Sequence, residues 1–407
     1  MTKINIHHKG ASAAALAGTT DQSTTLPIIK LGVDVHQHRT VVVVQEGHAT
    51  PKPARSFTPE AFLPWVAGLR ARGYRVFVVY EACGFGFGLQ RRLEALGATC
   101  YVVAPCRLDE RRERVKTDGR DAAALCQRLA RYVDGNHREL AVIRVPSEAE
   151  EKARTGPRQR AALVRARTKL QAQGRALLVN FDQPAPPRWW RARGWSALEK
   201  SVPAWLLAQL EIFRPVLLAL DAQIAALTAE LETAAPPDLP AGQGKLTSVV
   251  VAREVCDWQR FNNRRQVSSY TGLCPGEYSS GGKQRTGSVT KHGNPRLRAA
   301  LVELAWRMVR FQPDYPPVKK RLPILARGAK ATGAARKKAI VAVARQLAVD
   351  LWRLNTGRAT AAELHLRGGA PPTTEERPTT APVRGEQQPT ASAPANPANP
   401  DLTPNQP

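Results

Sequence analysis

Two adjacent serines, Ser279 and Ser280, stand directly before Gly281 and Gly282, and Lys283, Arg285, Lys291, His292, Arg296 and Arg298 follow. No acidic residue interrupts the run from Ser279 to Arg298. Glycine admits backbone conformations that other residues avoid, so this spacing lets a hydroxyl approach a bulky ligand closely. Cations at this density suit a phosphate backbone. A glycine-flanked serine beside such cations can serve as a nucleophile for phosphoryl transfer. The same residues also read as a basic loop that only grips nucleic acid.

Four acids in the first third of the chain bear on that choice: Asp34, Glu81, Asp118 and Asp121. Carboxylates brought together repel one another unless cations bind between them. Two Mg²⁺ ions, with Mn²⁺ the other choice for hard oxygen ligands, would neutralise four negative charges. A pair of such ions clamps an in-line displacement at phosphorus. Taken singly, each acid also reads as an ordinary helix-start or strand-end residue. The set, in a strongly basic chain, points to metal-assisted phosphoryl transfer.

Positioning those acids requires a sheet. IIKLGVDVH, from Ile28, predicts a strand that ends at Asp34, and RTVVVVQEG predicts its β-branched hairpin partner. ARSFT predicts a short third strand. PEAFLPWVAGLRARG predicts a helix, with Pro59 near its start and Gly73 closing it. RVFVVYEACG is a continuous apolar run of the kind found in a buried strand, and it ends at Glu81. GLQRRLEALG predicts a helix, TCYVVAP a strand, and TDGRDAAALCQRLARYV a helix with both aspartates in its first turn. Residues three apart on a helix share a face, so Asp118 and Asp121 point the same way. Three strands followed by helix, strand, helix, strand and helix predict a mixed sheet with an opening antiparallel hairpin and parallel crossovers. A ribonuclease-H-like architecture has this order. Open sheets of this class place their sites at the carboxyl ends of strands.

The chain has 407 residues, and its 43% hydrophobic content supports real cores. Its 60 Lys and Arg against 34 Asp and Glu give a net charge of +26, which calls for a polyanionic partner, nucleic acid first. No apolar run reaches the roughly 18 residues of a membrane span, so none is expected. Cys83, Cys100, Cys106, Cys126, Cys256 and Cys274 form no CxxC pair and no zinc-type spacing. They predict free thiols in a reducing cytoplasm.

Residues 1–27 predict a disordered leader, 28–146 the α/β domain, 147–234 a helical arm, 235–367 a mainly helical domain bearing the serines, and 368–407 a disordered Pro- and Thr-rich tail. The arm predicts two long helices folded back as a coiled-coil-like hairpin, with Leu163, Leu170, Leu177 and Leu178 at heptad-like intervals. Such a hairpin can pair subunits or pack within its own. Between its helices, Trp189, Trp190 and Trp195 lie beside Arg188, Arg191 and Arg193. They read either as base-stacking residues or as a packed turn. Gly242-Gln243-Gly244 can offer backbone N–H groups to a phosphate, and Arg327, Lys330, Arg336, Lys337 and Lys338 form a second basic group.

Together, GVDVHQ, the Glu81 strand, KTDGRDA and RFNNRRQVSSYTGLCPGEYSSGGKQRTGSVTKHGNPRLR resemble the insertion-sequence transposases of the IS-one-ten type. The resemblance covers Ile28 to Leu366 and departs from the family's P-G-x-G hairpin at Ala241-Gly242-Gln243-Gly244. It implies a RuvC-like DEDD domain with Asp34, Glu81, Asp118 and Asp121 as the metal tetrad, holding Mg²⁺ or Mn²⁺. It implies Ser280 as the nucleophile, with Ser279 the register alternative. The resemblance further implies donor and target DNA as substrates, a structured guide RNA encoded by the same element, and a bacterial, nucleoid-associated enzyme. With acids and serine on separate domains, a homodimer or tetramer would complete the site. Two alternatives stand: a RuvC-like junction nuclease that activates water, and a nucleic-acid-binding protein without catalysis.

Overall fold

A computed structural model describes residues 26–105, 117–283, 285–326 and 328–369. Most of the leader and tail, Cys106 and Arg327 lie outside the described residues.

The amino-terminal domain opens with β1 (Ile28–Val35), β2 (Thr40–Glu46) and β3 (Arg55–Phe57). Then come α1 (Pro59–Ala71), β4 (Arg75–Glu81), α2 (Gly88–Ala95), β5 (Thr99–Val103) and α3 (Asp118–Val133). The sheet order is β3-β2-β1-β4-β5. β1 pairs antiparallel with β2 and parallel with β4, and β4 pairs parallel with β5. This five-stranded mixed sheet is consistent with a ribonuclease-H-like DEDD domain.

Strand alternation sends residues to two cores. Leu31, Val33, Val78 and Tyr80 pack with Phe62, Val66 and Leu69 of α1 and Leu93 of α2. On the opposite face Phe77 and Val79 pack on Leu125 and Leu129 of α3, while Val41 and Val43 meet Ala122 and Cys126. Gly32 lies under α3, where an added Cβ would stand 2.2 Å from the Ala122 carbonyl oxygen and 2.3 Å from the Cys126 nitrogen. Only a glycine lets the helix sit this close to the strand.

The arm follows as α4 (Glu148–Asn180), α5 (Ala192–Ser201), α6 (Ala204–Glu211) and α7 (Arg214–Thr233). Ser147 and Glu150 cap α4 reciprocally. Arg160 bonds Thr228 and Arg167 bonds Asp221, so α4 and α7 run antiparallel. The tryptophans are a packed turn, which overturns the base-stacking reading: Trp189, Trp190 and Trp195 are buried with Leu178, Leu198 and Leu206. Trp189 Nε1 donates to the Gln171 carbonyl, and Trp190 Nε1 donates to Asp221. Their ring faces therefore have no room for a base. Arg167, Arg191 and Trp190 all reach the Asp221 carboxyl; burial pushes it up, but these hydrogen bonds outweigh burial and bring it to about 2.

Contrary to the expectation from the sequence, one segment reaches membrane-spanning length. Ala204–Thr233 is long and apolar enough to cross a membrane by length and composition, because α6 and α7 run almost continuously. Asp221, in the middle of that segment, is hydrogen-bonded to protein partners, and α7 packs on α4.

The remaining elements are α8 (Lys245–Val255), α9 (Arg264–Thr271), β6 (Pro275–Glu277), β7 (Thr286–Val289) and α10 (Pro295–Phe311). After them come α11 (Pro316–Lys319), α12 (Leu322–Leu325) and α13 (Gly333–Asn355). Leu297, Leu301, Leu304 and Met308 of α10 face Ile340, Val343, Leu347 and Leu351 of α13, forming the core of this unit. Gly242 and Gly244 lead into α8; Arg307 donates to the Gly242 carbonyl, which anchors that turn to α10.

Candidate active site

β1 delivers Asp34 to the α3 face of the sheet, because Gly32, two residues earlier, is the point on which α3 rests. The backbone contact at Gly32 brings the first turn of α3, with Asp118 and Asp121, to the strand end. Glu81 ends β4, one step beyond the Val33–Tyr80 register pair. It thus occupies the position beside Asp34 on the neighbouring strand, with backbones about 4.8 Å apart. All four acids are partly buried and lie at one end of the sheet.

Within this group, Asp34, His36 and Asp118 each offer a ligand atom, and these atoms lie within 4.8 Å of one another. His36 Nε2 is 3.2 Å from Asp34 Oδ2 and 3.3 Å from Asp118 Oδ2. The Arg39 guanidinium also donates to Asp118. Burial pushes the Asp34 carboxyl above its ordinary value; His36 opposes this, and the nearby Asp118 and Asp121 charges add to it. Crowded, half-buried carboxylates of this kind gain most from a bound cation. The donor set of carboxylate oxygens and one imidazole fits a divalent metal.

The sequence alone assigns no role to His36 or Arg39. The signal for His36 was present in part: it lies two residues after Asp34, and side chains two apart on an extended segment share a face. The approach of Asp118 is a tertiary event with no local trace.

The serine site is a β-hairpin. Pro275 pairs with Val289 and Glu277 with Thr286, and the Tyr278 amide donates to the Arg285 carbonyl. Ser280 and Lys283 exchange backbone hydrogen bonds of 3.3 and 3.1 Å across Gly281 and Gly282. Both glycines have positive φ, 57° and 77°, as a tight hairpin turn with two left-handed residues requires. Ser280 is exposed at this tip, beside exposed Lys283 and Arg285. Among the described residues no partner holds its hydroxyl. Ser279 differs: its Oγ donates to Glu277 Oε1 at 2.8 Å.

Behind the hairpin, Asn294 caps α10 by accepting from the Arg296 and Leu297 amides. Its Nδ2 donates to Glu254 Oε2 at 2.8 Å. Glu254 is buried and takes two 3.0 Å hydrogen bonds from Arg158 of the arm. Burial alone would push the Glu254 carboxyl up; the Arg158 and Asn294 hydrogen bonds outweigh it and hold it below its ordinary value. The arm is thereby tied to the start of α10 through one carboxylate. Arg298 is half-buried, and its Nη1 donates to the Thr271 and Lys291 carbonyls, so it braces the loop before α10. Lys291 and Arg296 are exposed. Arg336 of the second basic group turns back onto the Leu325 and Ala326 carbonyls, while Lys330, Lys337 and Lys338 are exposed.

Residues 240–318 match the model of the transposase IS116/IS110/IS902 family, and residues 31–181 match a transposase model of the DEDD class. The first match spans the serine hairpin, and the second spans all four acids. The chain is 34% identical over 320 residues to y4rJ of Sinorhizobium fredii, named as a transposase, covering 71% of this chain and 80% of that one. It is 26% identical over 309 residues to the transposase for insertion sequence element IS1111A of Coxiella burnetii, covering 70% and 78%. It is 24% identical over 290 residues to the transposase for insertion sequence element IS1328 of Yersinia enterocolitica, covering 68% and 82%.

Proposed function

This chain belongs to the IS116/IS110/IS902 transposase family, and we propose that it cuts and rejoins DNA through a phosphoserine intermediate on Ser280. The observation that carries this reading is the placement of Ser280 on a two-glycine turn, exposed beside Lys283 and Arg285 and with its backbone groups already paired. In the first step the Ser280 Oγ–phosphorus bond forms and the bond from phosphorus to a deoxyribose oxygen breaks. The serine gives up its proton, the displaced oxygen takes one, and a free hydroxyl leaves. Attack of a hydroxyl from another strand end on the phosphoserine reverses the exchange. It restores Ser280 and joins the strands without ATP, because the ester keeps the energy of the broken bond.

Asp34, Glu81, Asp118 and Asp121 would hold a divalent metal, Mg²⁺ or Mn²⁺. When bound, a divalent ion supplies charge neutralisation on the phosphate oxygens. Lys283, Arg285, Lys291 and Arg296 hold neighbouring phosphates, and Arg298 contributes through the loop it braces. A register variant of the proposal uses Ser279, which the Glu277 carboxylate could serve as general base.

The partners are donor and target DNA and a structured guide RNA from the same element, the latter supported by the family resemblance and the +26 charge. Acids and serine stand on separate folding units, which supports a site completed between subunits of a dimer or tetramer. The exposed apolar residues Trp205 of α6, Ile212 of the following link, and Val216 and Leu218 of α7 give the arm a surface for such pairing. The setting proposed is the bacterial cytoplasm, at the nucleoid.

The test is an adduct assay with element-derived RNA, labelled donor and target DNA, and Mg²⁺. Label on the denatured protein that vanishes in both Ser280→Ala and Asp121→Ala supports the proposal. Cleaved DNA without labelled protein points instead to a water-activating nuclease.

A further inference from the structure

The geometry points to His36 as a nitrogen ligand of the catalytic metal site, one that makes the site favour Mn²⁺ over Mg²⁺. The inference rests on the metal-assisted reading above and adds a ligand to it.

Gly32 and Asp34 share the α3 face of β1, and His36 stands one residue past the strand end, at the start of the turn to β2. His36 Nε2 lies 3.2 Å from Asp34 Oδ2 and 3.3 Å from Asp118 Oδ2. Neighbouring ligands around an octahedral ion with bonds of about 2.1 Å are separated by about 3 Å. Nε2 thus stands near coordination-shell spacing from both oxygens, and all three atoms lie within 4.8 Å of one another. Their chemistry agrees. His36 Nε2 meets Asp34 and the Arg39 guanidinium donates to Asp118, whereas a single cation among the three ligand atoms engages all of them at once. The imidazole is partly exposed, with 41% of its side-chain surface accessible, so it is not fixed there by burial in a core.

The ligand type then decides the metal. Mg²⁺ holds water and carboxylate oxygen and gains little from imidazole, whereas transition-metal ions bind imidazole well. An all-carboxylate site would discriminate weakly between Mg²⁺ and Mn²⁺. Replacing one oxygen donor by nitrogen shifts the balance toward Mn²⁺.

The experiment uses the full-length chain, stripped of metal. Mn²⁺ binding is followed by loss of the free-ion signal in electron paramagnetic resonance, and Mg²⁺ affinity by competition. Bound Mn²⁺ is then probed by pulsed methods that detect directly coordinated ¹⁴N. The inference expects a ¹⁴N coupling in the wild type that disappears in His36→Ala. It expects Mn²⁺ affinity to fall about 10-fold or more in that variant, while Mg²⁺ affinity changes by less than about 3-fold. Mn²⁺ bound without ¹⁴N coupling in the wild type overturns the assignment of His36 and leaves the carboxylate site standing. Failure of the wild type to bind Mn²⁺ or Mg²⁺ overturns both. Because the coupling is read on the wild type, the test does not depend on the variant folding well.

Discussion

The α-carbon of Gly32 faces the Ala122 carbonyl so closely that a Cβ would stand 2.2 Å from that oxygen. β1 and α3 meet backbone to backbone here, and the contact sets the approach of Asp118 to Asp34. Gly32→Ala forces the helix off the strand. Overpacking of this kind costs about 1–3 kcal/mol or more. Urea unfolding should show that loss, and Mn²⁺ affinity should fall with it although no carboxylate has been touched. Unchanged affinity in a folded Gly32→Ala protein would show that the acids do not depend on this contact.

Asp221 ties α7 to α4 through Arg167, Arg191 and Trp190. Its folded carboxyl sits at about 2 against an ordinary 3.8. A depressed acid contributes stability that is fully present above its unfolded value and is lost as pH falls through the folded one. The contribution should therefore hold at neutral pH and fade from about pH 4 downward. Asp221→Asn should lower the urea midpoint at pH 7, and the gap to wild type should narrow at pH 3. A gap of constant size would mean that the carboxylate charge is not what stabilises the arm.

Trp189 fills the space beside Gly174, where an added Cβ would come within 2.1 Å of its ring. Trp189→Ala should cost about 3–5 kcal/mol as a buried aromatic truncation. Its melting temperature should drop, while DNA and RNA affinity measured well below that temperature should change little. A selective loss of nucleic-acid affinity at unchanged stability would restore the base-stacking role.

The sheet was readable because β-branched runs in this chain are strands buried on both faces, as in TVVVVQE. The acids were readable because each ends a strand or starts a helix. Other features depended on tertiary contacts that a linear pattern does not carry. His36 gains its meaning only when α3 arrives. Arg298 looks like one more cation in a basic stretch until its guanidinium is seen on the Thr271 and Lys291 carbonyls. The Trp189–Trp190 pair has the composition of a stacking platform, and burial decided otherwise. Glu254 drew no attention in the sequence, although it joins Arg158 of the arm to Asn294 at the start of α10.

The central claim is that Ser280 carries the covalent bond to DNA. The most direct measurement is peptide mass spectrometry on the trapped protein–DNA complex after nuclease digestion, locating the residue that keeps a nucleotide. The account predicts a nucleotide ester on Ser280, absent when that residue is replaced by alanine. A nucleotide on Ser279 would move the chemistry to the hydroxyl held by Glu277. Cleaved DNA with an unmodified hairpin peptide would contradict the phosphoserine mechanism.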